Sequence, residues 1–137
     1  MSEAPHILVV DDDRDIRTLL SDYLQAVPAD VPQLTRDAVR ADWRRRFGSP
    51  AHGGQLMHHH SPGCPSCNGT GHKGRAGLHE LMTTSRELRR LVQTGARAEE
   101  LQRQAMREGM RTLRQDGIEK VLAGITHIEE VRATSNV

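Results

Sequence analysis

The sequence predicts a mainly α fold with a small β element: a short N-terminal strand and helix, a Cys-x-x-Cys knuckle or hairpin, then a bundle of three to four short helices. Three observations carry this. Residues 6–10 are a single apolar, β-branched run that suits a buried strand. Both cysteines fall in one glycine-dense stretch, residues 63–80. From residue 84 onward, threonines stand three places before Glu or Gln at the head of apolar stripes (Thr84 with Glu87, Thr112 with Gln115, Thr126 with Glu129). In that pattern the two side chains satisfy orphan amides at a helix start reciprocally.

The elements can be taken in chain order. After the first strand, Asp13 can cap a helix in which Ile16, Leu19, Leu20, Tyr23 and Leu24 form one stripe, and Pro28 and Pro32 end it. Residues 33–47 read as a second helix, capped by Thr35, with Leu34, Val39, Trp43 and Phe47 apolar. Arg44, Arg45 and Arg46 then sit at its C-terminus, where cations oppose the negative end of the helix dipole. Residues 48–62 read as a Gly, Pro and His loop with His52 and His58, His59 and His60. Residues 63–82 are the knuckle plus a strand over 74–81, the expected partner of the N-terminal strand. Residues 83–133 form a helical subdomain with stripes Leu88, Leu91, Val92; Ala98, Leu101, Ala105; and Ile118, Val121, Leu122, Ile125. Gly95, Gly109 and Gly124 fall near helix ends, where a left-handed residue stops the turn. Residues 134–137 read as a frayed tail. The expected divisions are thus 1–27, 28–62, 63–82, 83–133 and 134–137.

Composition narrows the function classes. The chain has 137 residues, 2% aromatic content and a net charge of +1. Its core must therefore rest on aliphatic side chains and methionine, a thin core that a structural metal would help. The near-balanced, interspersed charge gives no broad polyanion-binding face, and one Trp, one Tyr and one Phe leave little to stack bases, so nucleic acid is not an expected partner. No apolar run approaches 18 residues and the start does not read as a signal peptide. The paired cysteines suit a reducing compartment. The expected location is cytoplasmic, with peripheral association at the inner membrane face allowed.

Cys64 and Cys67 are the candidate metal ligands. Two intervening residues let both sulfurs face one tetrahedral ion, and Gly69, Gly71, Gly74 and Gly77 permit the positive φ needed to turn beneath it. One knuckle is half a zinc site. Spacing alone leaves two readings open, a zinc half-site or a pair of reduced thiols in a turn. His52, His58 or His60 are candidates to complete a Cys₂His₂ site, with His59 in the same tract. His72 reads as structural, and His79, on the expected strand, as no ligand.

The run from Cys64 to Gly71 resembles one zinc repeat of the Hsp40-type co-chaperones, which carry several. The residues beyond it fit another family better. Residues 71–82 resemble the zinc-knuckle exit of the type II secretion and type IV pilus assembly ATPases. Residues 109–121 and 124–131 resemble that family's C-terminal end, so the likeness covers about 63–133. In that family a segment like 33–47 separates two cysteine pairs, and here the upstream pair is missing. Residues 6–25 resemble the first strand and helix of a response-regulator receiver domain, whose acidic pair, here Asp11 and Asp12, helps bind magnesium. Its later strands, acceptor aspartate and lysine have no counterpart, so the acidic site is incomplete. Three aspartates favouring a helix start is the plainer reading.

These resemblances imply an interaction module or fragment of a secretion or pilus ATPase, not an enzyme on its own. The family's Gly-x-x-x-x-Gly-Lys-[Ser/Thr] loop is missing, and residues 71–75, though glycine-rich and basic, lack its ending. Neither catalytic residues nor ATP binding are expected. Implied partners are motor subunits or the cytoplasmic membrane platform, with a homodimer through shared zinc possible in principle. The competing class is a two-component signalling protein using Asp11 or Asp12. A chain joining two such parts is equally the product of a gene fusion, a truncated reading frame or a recombined sequence.

Overall fold

The computed structural model describes residues 8–10, 13–25 and 27–135. In chain order these form β1 (Leu8–Val10), α1 (Asp13–Leu24), α2 (Arg36–Phe47), β2 (His58–His60), α3 (Arg86–Gln93), α4 (Ala98–Arg107), α5 (Leu113–Leu122) and α6 (Ile128–Thr134). The molecule is mainly helical with a small β element, as the sequence predicts. Asp11 and Asp12 lie outside the described residues.

α5 is the element the others pack around. It contacts α1, α6 and β2; α1 in turn meets α2, and α3 and α4 form a hairpin. One apolar cluster runs through all six helices. It contains Ile16, Leu19, Leu20 and Tyr23 from α1, Val39 and Trp43 from α2, Leu88 from α3, Ala105 and Met106 from α4, Ile118, Val121 and Leu122 from α5, and Ile128 and Val131 from α6. Trp43 is fully buried and meets Tyr23 edge-on, ring centroids 5.1 Å apart. Such a pair contributes about 0.5–1.5 kcal/mol beyond the area it buries. In a chain with so few aromatic residues, that contact fixes how α1 crosses α2.

The polar seams of the bundle also meet at α5. Tyr23 Oη donates to Glu119 Oε1 (3.0 Å), and Arg46 grips the same carboxylate through both terminal nitrogens at 3.0 and 2.7 Å. Arg111 Nε donates to Tyr23 Oη at 2.9 Å. Burial, reinforced by the Glu119 carboxylate, pushes the Tyr23 phenol above its ordinary range. Gln115, 2% exposed, donates to the Tyr23 carbonyl at 2.9 Å and closes the Thr112 capping box. One side chain thus caps α5 and satisfies the end of α1.

Several local expectations change. The strand predicted over 74–81 is absent: residues 75–85 have no regular secondary structure. The partner of β1 is instead β2, antiparallel, with Leu8 opposite His60 and Val10 opposite His58. Three consecutive histidines carry no strand signal, but the backbone of β1 needs pairing, and this segment supplies it. The second helix starts at Arg36 after a 3₁₀ turn, Pro32–Leu34, with Thr35 Oγ1 accepting from Ala38 N at 3.3 Å. α3 is capped by Ser85, which accepts from Leu88 N, and not by Thr84. α6 begins after His127 without a side-chain cap, so Thr126 plays no such part. Val92 and Ile125 are each 57% exposed and Ala98 is also exposed, so they leave their predicted stripes. Met106 and Met110 are buried instead.

Candidate functional site

The knuckle is a tight turn held by its own backbone. Residues 65–67 make one 3₁₀ turn, and Cys67 N and Gly69 N both donate to Cys64 O, at 3.2 and 2.9 Å. Asn68 and Gly69 are left-handed (φ 55° and 76°), which reverses the chain; Asn68 is a turn residue the glycine pattern did not reveal, and Gly77, expected to share this geometry, does not. A side chain on Gly63 would meet the Gly69 carbonyl oxygen at 2.4 Å, so the two limbs close only without one.

This turn brings the two sulfurs 3.7 Å apart, too far for a disulfide, whose sulfurs bond at about 2.05 Å. Two thiolates each about 2.3 Å from a tetrahedral zinc stand about 3.8 Å apart, so the spacing matches one edge of such a site. Cys67 Sγ lies 3.2 Å from both Cys64 N and Gly71 N. Those amides, with Cys64 the larger influence, lower the Cys67 thiol from its ordinary 9.0 to about 6 against a smaller opposing effect of burial.

Half of a site is what the structure assembles. Among the described residues no group of three or more His, Cys, Asp or Glu side chains is placed to hold a metal. His52 Nδ1 pairs with Ser49 Oγ at 3.0 Å, His58 Nδ1 with Asp15 Oδ2 at 3.2 Å, and His59 Nδ1 with the Val121 carbonyl at 3.0 Å. His60 lies beside His127, ring centroids 5.9 Å apart. A complete four-donor zinc site therefore does not fit the described residues of a single chain.

The histidine that meets the knuckle's exit was not anticipated. His72 Nε2 contacts His127 Nε2, their rings 4.1 Å apart between centroids, so one imidazole donates to the other. His127 Nδ1 also lies 2.8 Å from Glu129 Oε2. This pair clasps the knuckle to the start of α6, which agrees with a structural role for His72. The Thr126–Glu129 spacing hid His127 by placing the helix start one residue early. Between knuckle and α6 runs an open groove of about 720 Å³, with Cys64, Cys67, Lys73 and Arg75 on one side and Ile125 and Glu130 on the other.

Arg75, Ala76 and Leu78 still line the groove, and the chain then meets α5 at His79 and Glu80. His79 N donates to Asp116 Oδ2 at 2.9 Å, and Glu80 Oε2 accepts from Leu113 N at 3.2 Å. Asp116 also binds Lys120. Burial raises the Asp116 carboxyl, but Lys120 and the His79 amide together hold it below its ordinary range. His79 is exposed, 3.7 Å from Asp116, and takes no part in the knuckle.

The described residues thus form a helical bundle with one thiol turn on its flank. Comparison with known proteins identifies the family: residues 16–133 match that described as Type II/IV secretion system protein, and the chain belongs to it. The match begins well before the knuckle and takes in α1 and α2. The chain is 36% identical over 118 residues to the type II secretion system protein E of Pectobacterium carotovorum subsp. carotovorum, covering 86% of this chain and 21% of that protein. It is 34% identical over 118 residues to the type II secretion system ATPase E of Vibrio cholerae, with the same coverage. Over 71 residues it is 49% identical to the type IV pilus assembly ATPase PilB of Thermus thermophilus, covering 52% of this chain and 8% of that protein. The chain thus spans about a fifth or less of these relatives' lengths. No helix among the described residues is long and apolar enough to cross a membrane.

Proposed function

We propose that this chain is a non-catalytic interaction module of a protein secretion or pilus assembly machine, working by docking onto motor subunits of its own family. The observation that carries this reading is where the family likeness falls. It covers residues 16–133, which hold every residue of the described apolar cluster, while the sequence contains no Gly-x-x-x-x-Gly-Lys-[Ser/Thr] loop to cradle phosphates. The side chains that the fold orders, such as Tyr23, Trp43, Gln115 and Glu119, join helices to one another.

On this reading the chain works in the cytoplasm, at or near the inner membrane face where its partners assemble. Zinc, if bound, bridges two chains, because each knuckle supplies two of the four donors a structural site requires. The test is nucleotide binding by the purified chain. Calorimetric titration with magnesium ATP is expected to give no heat of binding, and a steady-state assay no hydrolysis above blank. Saturable ATP binding would overturn the reading.

A further inference from the structure

The knuckle presents two free thiols to the groove. Cys64 and Cys67 are half-buried, and one 3₁₀ turn holds their sulfurs 3.7 Å apart. Among the described residues no third His, Cys, Asp or Glu joins them as a metal-holding group. The two sulfurs are not equivalent. Cys67 Sγ accepts from Cys64 N and from Gly71 N, both at 3.2 Å. Gly71 takes a positive φ of 82° there, and a Cβ on it would lie 2.9 Å from the Ser61 carbonyl oxygen, so only glycine brings this amide so close. Amides aimed at a sulfur favour its thiolate, and the thiolate is the nucleophile. Lys73 Nζ reaches Ser66 Oγ at 3.2 Å, which sets a cation beside the turn. Arg75 lines the same groove, with Glu130 as the opposing charge across it.

We propose that Cys67 and Cys64 form a reversible thiol–disulfide exchange site for small anionic disulfides, with Cys67 as the attacking sulfur and Cys64 as the resolving one. The Cys67 thiolate attacks one sulfur of the small disulfide. A bond forms to Cys67 Sγ, the original S–S bond breaks, and one half leaves as a thiolate. Cys64 then gives its proton to water and attacks Cys67 Sγ, expelling the second half as a thiolate. Two electrons pass from the cysteine pair to the small disulfide, which ends as two thiols. The sulfurs already stand in contact, so the second step runs within one turn. The site lies on the flank of the bundle and needs no docking partner.

The probe is glutathione disulfide, added to the reduced, chelator-treated chain, with the products weighed by intact mass spectrometry. The chain should lose two hydrogens and keep no glutathione, and excess glutathione should restore it. Cys64→Ser should stop at a mixed disulfide on Cys67, whereas Cys67→Ser should acquire glutathione about tenfold more slowly. In urea, which removes the turn, the two single variants should react alike. Circular dichroism of each variant guards against misfolding. Equal rates for the two folded variants would overturn Cys67 as the attacking sulfur, and an asymmetry that survives urea would overturn the part given to the fold-held amides. A mixed disulfide that persists on the unaltered chain, or disulfide-linked dimers as the main product, would overturn the site itself. Lys73→Gln, Arg75→Gln should slow exchange with glutathione disulfide severalfold more than exchange with uncharged hydroxyethyl disulfide. Equal slowing would overturn the preference for anions.

Discussion

Gly117 sits buried in the middle of α5, where a glycine ordinarily costs a helix about 1 kcal/mol relative to alanine. Gly117→Ala should nevertheless destabilise the protein. A Cβ built there would lie 2.6 and 2.9 Å from the two γ-methyls of Val131 and 3.3 Å from its Cβ. Carbon atoms pack best at about 3.5–4.0 Å, so α6 must withdraw by roughly 1 Å. Val131 is 1% exposed and belongs to the shared cluster, so nothing soft yields. Overpacking of this kind costs about 1–3 kcal/mol. With two methyls struck at once the upper part applies, and after the helix gain a net loss of about 1–2 kcal/mol remains. Urea unfolding followed by far-UV circular dichroism measures it. In a Val131→Ala background the obstructing methyls are gone, and Gly117→Ala should become neutral or stabilising, a coupling of about 1–3 kcal/mol. Equal or greater stability of Gly117→Ala alone would refute the close approach of α5 and α6.

Other consequences are as specific. Tyr23→Phe removes the hydroxyl shared by Glu119 and Arg111 and should cost about 1–2 kcal/mol in the same unfolding assay. Tyr23 is the sole tyrosine, so its ultraviolet phenolate step reports it alone; that step should fall above pH 10.0, because burial and Glu119 favour the protonated form. Stabilisation from this raised group is complete below pH 10 and fades as pH climbs towards the folded value. Cys67 behaves oppositely: its thiol is lowered from 9.0 to about 6, so its contribution is complete above pH 9 and declines as pH falls to about 6. Alkylation of a Cys64→Ser variant by iodoacetamide should therefore show a midpoint well below 9. Metal analysis of untagged protein should give at most one zinc per two chains, lost in Cys64→Ser, Cys67→Ser, whereas one zinc per monomeric chain would reveal donors outside the pair.

Much of the helical architecture is legible because helices announce themselves locally. Thr35, Thr112 and the α1 stripe all act as their spacing suggests, and Gly95, Gly109 and Gly124 all take positive φ at helix ends. What the sequence hides is decided by long-range contact. The pairing of β1 with a histidine tract depends on which backbone lies nearby, and no side-chain pattern records it. The strand expected over 74–81 does not form: the stretch holds two glycines and no β-branched or aromatic residue, and a strand requires a neighbour. Capping boxes at Thr84 and Thr126 fail by one residue, since Ser85 and His127 occupy the true helix starts and tertiary contacts choose between adjacent candidates. At the candidate site, the knuckle turn is legible from Cys64, Cys67 and the glycines. The His72–His127 clasp joins residues 55 apart and is invisible in either stretch alone.

The central claim is that this chain acts by binding a motor subunit and not by turning over nucleotide. Sedimentation velocity of the purified chain with Vibrio cholerae ATPase E tests it most directly. A boundary containing both proteins, which dissociates on dilution and forms equally without ATP, is the expected result. Two boundaries moving independently at every concentration would contradict the account.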